Sequence, residues 1–262
     1  VYVDEVQDRI YVGAHAGGMM VLHRKSGYIE YYNRHNSNLP SNNIYSIISD
    51  GYGGLWVASL EYLLHFDIDK RNFTIVDVDE DGHKLQQYNR LLFCDSKKRI
   101  WAGGEMGISV FNQVGTSLLP NTDFQIASVL KQAFVNCFYE TSSGYLWIGT
   151  RNGLFALKES DKQFLQYTTE NGLPSNVIYG ILEDAYGRLW ISTNQGLSCL
   201  NPESGKFRNF TIMDGLQGNQ FNAGAYCRKD NGYMLFGGVN GITSFLSLIH
   251  ISEPTRRVVI SY

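Results

Sequence analysis

The chain of 262 residues is poor in charge, proline and cysteine. Asp, Glu, Lys and Arg make up only 18% of it and nearly cancel, leaving a formal net charge of −3. Without a basic excess it lacks the electrostatic footprint of a nucleic-acid or anionic-membrane binder. It has no apolar run of the roughly 18 to 20 residues that a membrane-spanning helix needs. Nor do the first residues show the basic-then-apolar pattern of an export signal. Its four cysteines, Cys94, Cys137, Cys199 and Cys227, form no C-x-x-C pair and have no histidine at metal-ligand spacing. A zinc site is therefore not expected. Each cysteine lies in an apolar stretch and is expected to be a small buried hydrophobe. The six histidines (His15, His23, His35, His65, His83 and His250) build no H-E-x-x-H, and no G-x-S-x-G elbow accompanies them. Catalytic residues and cofactors have no signature here. The string Asp77-Val78-Asp79-Glu80-Asp81-Gly82 opens like a calcium loop, but its twelfth position is Tyr88 rather than Glu, so it reads as a solvated acidic turn.

What the chain has in quantity is glycine (27), tyrosine (17) and phenylalanine (14), a strand-and-turn composition. Self-similarity organises it. Trp56, Trp101, Trp147 and Trp190 are spaced 45, 46 and 43 apart, each inside a motif such as Leu146-Trp147-Ile148-Gly149. One further period in each direction reaches Ile10-Tyr11-Val12-Gly13 and Met234-Leu235-Phe236-Gly237, so six copies fill the chain. Two residues after each aromatic position stands Gly13, Ala58, Gly103, Gly149, Ser192 or Gly237. Residues two apart share a strand face, so a bulky ring and a gap lie side by side and a neighbouring sheet can approach closely. The flanking columns are apolar too, which predicts a strand covered on both faces. Six residues after the aromatic, a glycine opens another apolar run, as in Gly153-Leu154-Phe155; only Tyr62 breaks that column.

Four short strands per copy predict an all-β fold: a β-propeller of about six four-stranded blades with a period near 45, an incomplete part of a seven-bladed ring. The blades are expected at about 1–38, 39–82, 83–130, 131–172, 173–217 and 218–246. The first would hold only the end of its inner strand and the last would lack its outer one. Residues 247–262 read as a linker, the start of a following sandwich, or a non-native tail. The third copy departs most, because Gln113 to Leu130 lacks the regular turn and outer aromatics. Asn72-Phe73-Thr74 and Asn209-Phe210-Thr211 match a glycosylation acceptor but sit where the outer strand needs an aromatic, and are read as structural.

The motif Leu173-Pro174-Ser175-Asn176, Ile178 to Asp184, Gly187, Leu189-Trp190-Ile191-Ser192-Thr193 and Asn194-Gln195-Gly196-Leu197 resembles the two-component regulator propeller repeat, and Leu39 to Trp56 repeats it. The resemblance covers residues 1 to about 246. It implies a periplasmic sensor region of a hybrid histidine kinase that recognises an oligosaccharide. It further implies missing blades and an immunoglobulin-like domain in the same protein, and a homodimeric receptor. The fragment itself is expected not to be an enzyme. A propeller lyase and a pure protein-interaction scaffold are the alternatives.

Strand order places the functional face. In a four-stranded antiparallel blade, the loop entering the first strand and the turn joining the second to the third emerge on one side. Those second-to-third turns vary where the scaffold does not: His15, Glu61, Glu105, Arg151 with Asn152, Asn194 with Gln195, and Asn240. Arg151, Asn152, Asn194, Gln195, Glu105 and Asn240 are the expected ligand-binding residues, since variation at one geometric position suits a non-repetitive ligand.

Overall fold

Alternating apolar columns, broken by glycine-bearing turns, fold each repeat into an antiparallel meander. The computed structural model describes residues 1–59, 62–76, 89–121, 128–158 and 163–246. Among these there is no α-helix, only short 3₁₀ turns. The first sheet runs β1 (Tyr2–Asp4), β2 (Arg9–Ala14), β3 (Gly18–His23), β4 (Ile29–Tyr32). The second runs β5 (Ile44–Ser49), β6 (Leu55–Ser59), β7 (Leu63–Asp67), β8 (Asn72–Ile75). The third runs β9 (Asn89–Cys94), β10 (Arg99–Gly104), β11 (Gly107–Val114), β12 (Ser117–Pro120). The fourth runs β13 (Val135–Glu140), β14 (Leu146–Thr150), β15 (Gly153–Lys158), β16 (Gln163–Tyr167). The fifth runs β17 (Ile178–Glu183), β18 (Leu189–Thr193), β19 (Gly196–Asn201), β20 (Lys206–Phe210). The sixth has three strands among the described residues: β21 (Phe221–Arg228), β22 (Tyr233–Gly238), β23 (Gly241–Leu246). Every pair is antiparallel between consecutive strands, the arrangement of β-propeller blades. The chain divides into two compact units, Val1–Ala133 and Phe134–Tyr262, each with three blades.

Within each unit the blades pack face to face. In the first, Leu55 and Val57 of β6 meet Tyr11 and Met19 of the preceding blade. Trp56 and Ala58, on the other face of the same strand, meet Leu92, Ile100 and Phe111 of the following one. In the second unit Trp147 packs with Ile178 and Ile191, and Trp190 with Met234 and Phe236. Each such side chain, fully removed from water, contributes about 1.5–3 kcal/mol before the entropy of ordering it is charged.

The small-residue column is where the next blade's first strand approaches. A Cβ at Gly149 would lie 2.7 Å from Cγ2 of Ile178 and still closer to Sγ of Cys137. At Gly13 it would lie 2.5 Å from Cγ2 of Ile44, which opens the next inner strand in the same way.

At the opposite end of the third and fifth blades, the hairpin between the first and second strands carries a polar node. Asp184 Oδ2 accepts from Arg188 Nε (2.7 Å) and from Trp190 Nε1 (3.1 Å). Asp95 Oδ2 does the same for Arg99 (2.6 Å) and Trp101 (2.8 Å). In the second blade Gly54 stands where the arginine would be, and Asp50 pairs instead with His65 Nε2 at 2.8 Å. In the fourth, Thr141 replaces the aspartate, and Trp147 Nε1 is buried without a partner.

Two expectations need correction or refinement. Cys137 and Cys199 are buried, and burial pushes their thiols up to about 12 and about 11. Cys94, however, is half-buried and Cys227 exposed. On β21 the ring of Tyr226 turns toward Gly180 of the fifth blade, so alternation sends Cys227 to the other face, which no sheet covers among the described residues. In the third blade, β12 supplies the outer strand despite its irregular sequence, with Leu118 buried where other blades use an aromatic.

Two substitutions test this packing. Gly149→Val is expected to lower stability by about 1–3 kcal/mol or more through overpacking against Ile178; a melting midpoint equal to the parent's would contradict the close interblade contact. Asp184→Ala removes the acceptor of the Trp190 N–H and the carboxylate beside Arg188 Nε. It is expected to cost about 3 kcal/mol in denaturant titrations, well above the effect of Thr141→Ala in the blade that lacks the node.

Candidate functional site

At the other end of the first, fourth and fifth blades, a repeated hydrogen-bonded clip fixes the turn between the second and third strands. Gly18 N donates to Asn42 O (2.7 Å), Gly153 N to Asn176 O (2.8 Å) and Gly196 N to Asn219 O (2.6 Å). In each case the asparagine belongs to the loop entering the following blade. Its side-chain oxygen accepts in turn from the backbone N–H of Arg34, Thr169 or Ile212, at 2.9, 2.8 and 2.8 Å. Only glycine suits the clipped position. Gly196 has φ +116°, and a Cβ there would collide with the carbonyl oxygen of Phe210. The backbone thus holds both sets of loops together, and the turn side chains are left free of that task.

In the first unit this arrangement gathers four side chains from three blades. His15, exposed on the β2–β3 turn, has its ring 6.3 Å from that of Tyr45. The guanidinium of Arg90 lies over the same tyrosine ring, 5.1 Å from its centre. Arg90 also pairs with Glu105, on the β10–β11 turn, at 2.5 Å. His15 and Glu105 are therefore joined through two residues that strand periodicity did not single out. Glu61 and the acidic string from Asp77 to Gly82 lie outside the described residues.

In the second unit, Arg151 and Asn152 form the exposed β14–β15 turn. Arg151 N donates to Phe134 O at 3.0 Å, and its guanidinium sits 3.6 Å from the centre of the Phe134 ring. Asn152 N donates to Thr150 Oγ1 (2.9 Å), and its carbonyl accepts from Gln166 Nε2 (3.0 Å). In the next blade's equivalent turn, Gln195 is exposed and its N–H bonds Thr193 Oγ1 at 3.0 Å. Asn194 is half-buried, and its Oδ1 is shielded from solvent with no donor against it. Asn240, exposed on the β22–β23 turn, is held through its backbone N–H by Gln217 Oε1 at 2.9 Å.

The residues missed by periodicity occupy β-bulges. In four inner strands, β5, β9, β13 and β17, one residue is skipped by the ladder: Tyr45 between Ile44 and Ser46, Arg90 between Asn89 and Leu91, Asn136 between Val135 and Cys137, Tyr179 between Ile178 and Gly180. A bulge re-aims one side chain out of the in-out alternation. The signal in the sequence is a position that varies between Tyr, Arg and Asn inside an otherwise apolar strand. Asn136 uses it to donate to Ile178 O of the next blade at 2.7 Å.

Chemically, this face offers aromatic rings, planar amides and guanidinium groups, the equipment of a binding surface. Among the described residues no three His, Cys, Asp or Glu side chains group as metal ligands. A buried histidine–carboxylate pair, His65 with Asp50, lies at the opposite end of its blade and takes the structural place of the arginine–aspartate node. Of the acceptor-like triplets, Phe73 and Phe210 are buried, and Asn209 spends its amide on Gly172 O (2.8 Å) and on Ser198 Oγ (2.6 Å).

Comparison with known proteins places these features. Residues 38–61, 130–152 and 172–195 match the family described as two component regulator propeller. Each match includes an inner strand, an aromatic motif and the turn that follows. Among solved structures, PorZ, a bacterial surface component of the type-IX secretion system of Porphyromonas gingivalis, aligns at a TM-score of 0.70 and 16% identity over 91% of this chain and 37% of that one. A catalytically inactive virginiamycin B lyase of Staphylococcus aureus, solved with quinupristin, aligns at 0.64 and 13% identity, covering 91% and 80%. The extracellular domain assigned to the hybrid two component system BT3049 of B. thetaiotaomicron aligns at 0.43 and 19%, covering 92% and 48%. At these identities the likeness to PorZ and to the lyase establishes the propeller fold. The chain spans well under two thirds of PorZ. Comparison with curated protein sequences finds no match.

The clip itself is testable. Asn176→Ala removes the acceptor for Thr169 N–H, much as loss of a helix cap does, and is expected to cost about 1 kcal/mol. Asn176→Asp keeps the acceptor and is expected to melt within a degree or two of the parent, roughly the resolution of a 0.5 kcal/mol change.

Proposed function

From the premise that this chain carries two component regulator propeller repeats, we propose that it is the extracytoplasmic ligand-sensing module of a hybrid two-component regulator. Its ligand is an oligosaccharide, and occupancy is passed to a histidine kinase in the complete protein. The observation that carries this reading is the division of labour at the turn-bearing face. Backbone groups and the repeated asparagines do the structural work, while the turn and bulge side chains differ from blade to blade. Side chains that a scaffold does not need, differing at one repeated position, suit a ligand without repeat symmetry. In the second unit Tyr179, Asn152, Asn194 and Gln195 supply a ring face and planar amides, which suit the apolar faces and hydroxyl edges of sugars. The module is read as a binding rather than a catalytic one, in keeping with the regulator-propeller family model that matches it.

The test is a glycan-binding measurement by calorimetry on the complete receptor and on its Arg151→Ala and Asn194→Ala variants. Binding of an oligosaccharide by the parent, weakened about tenfold or more in each variant with folding intact, is the expected result. If the parent binds no glycan but captures a protein partner through the same face, the scaffold reading replaces this one.

A further inference from the structure

Arg90 and Arg151 both project at the turn-bearing ends of their blades, and their charges are met differently. Arg90 is neutralised by Glu105 at 2.5 Å. Arg151 is anchored twice to Phe134, through its backbone N–H at 3.0 Å and through the ring at 3.6 Å. No carboxylate among the described residues reaches its guanidinium. At 3.6 Å the guanidinium is at stacking distance, which occupies a flat face and leaves its in-plane N–H donors to whatever approaches edge-on. The side chain is exposed, so it is ordered by Phe134 rather than by burial. This removes much of the rotamer entropy that a free surface arginine would lose on binding.

The fold does not require this side chain. The clip that holds the turn is made by Gly153 N and Asn176 O, and the equivalent turns of other blades carry His15, Glu105, Asn194 or Asn240 instead.

We propose that Arg151 anchors an anionic group of the ligand, a carboxylate or sulfate ester held by paired N–H donors. The ligand class is an acidic oligosaccharide. This deepens the sensor reading above and rests on it. Planar bidentate recognition of such anions is what a pre-oriented guanidinium does best.

The experiment is calorimetry on the full chain with four probes of equal length: an oligogalacturonide, its methyl ester, a neutral galactan oligosaccharide and its sulfated form. One acidic probe is expected to bind about 10- to 100-fold more tightly than its neutral counterpart, and which of the two does so identifies carboxylate or sulfate. Arg151→Ala should abolish that ratio with an unchanged melting midpoint, and Arg151→Lys, which keeps the charge and loses the fork, should retain a smaller ratio. Equal affinity for acidic and neutral probes, or a ratio that survives Arg151→Ala, overturns the anionic site and leaves the sensor reading standing. Absence of binding to every probe and to a wider glycan panel overturns both.

Discussion

The approach of each blade's first strand to the small residue on the second strand of the blade before it is the contact on which the rest of each unit depends. Ile44 against Gly13 and Ile178 against Gly149 bring two sheets within direct packing distance. That closeness lets the neighbouring tryptophan and its flanking aliphatic residues bury both faces of the second strand. It also brings the second-to-third turn of one blade within hydrogen-bonding range of the loop entering the next. A larger residue in the column would separate the sheets, expose the rings and break the glycine–asparagine clip together. The apolar packing and the backbone clip are thus two readings of one distance.

At the far end the polar nodes show how the repeat tolerates substitution. The aspartate that accepts from Trp101 and Arg99, or from Trp190 and Arg188, satisfies a buried indole N–H with a charge-assisted bond. Where Gly54 takes the arginine's place, His65 supplies the partner from the next strand, and Trp56 finds Gln113 Oε1 at 3.2 Å instead. Where the aspartate itself is lost, at Thr141, nothing replaces it and Trp147 Nε1 is orphaned. The fourth blade therefore relies on ring packing, with Tyr167 stacked at 5.8 Å and Tyr145 at 6.1 Å.

The proposed ligand face follows from the same logic in reverse. Because the clip uses backbone groups and an asparagine common to its copies, the side chains beside it are released from structural duty. His15, Tyr45, Arg90 and Glu105 form one continuous set across the first unit's three blades. In the second unit, Arg151 rests on the Phe134 ring and Asn194 Oδ1 is shielded without a donor.

The sequence by itself determined the blade. The tryptophan period, the small column two residues on and the glycine six residues on are local constraints, since strand alternation and positive φ act over a few residues and leave a mark in every copy. The turns carrying Arg151, Asn152, Asn194, Gln195, Glu105 and Asn240 were legible for the same reason, because strand order alone places them on one side. Tertiary structure alone decided what those turns meet. Tyr45, Arg90, Asn136 and Tyr179 are re-aimed by bulges, and a bulge is a mismatch between two strands rather than a property of either. The exposure of Cys227, the burial of Leu118 in an irregular outer strand and the exchange of arginine for His65 have the same origin. Each depends on which side chain the neighbouring strand or sheet presents at a given height, and periodicity along one strand carries no record of that.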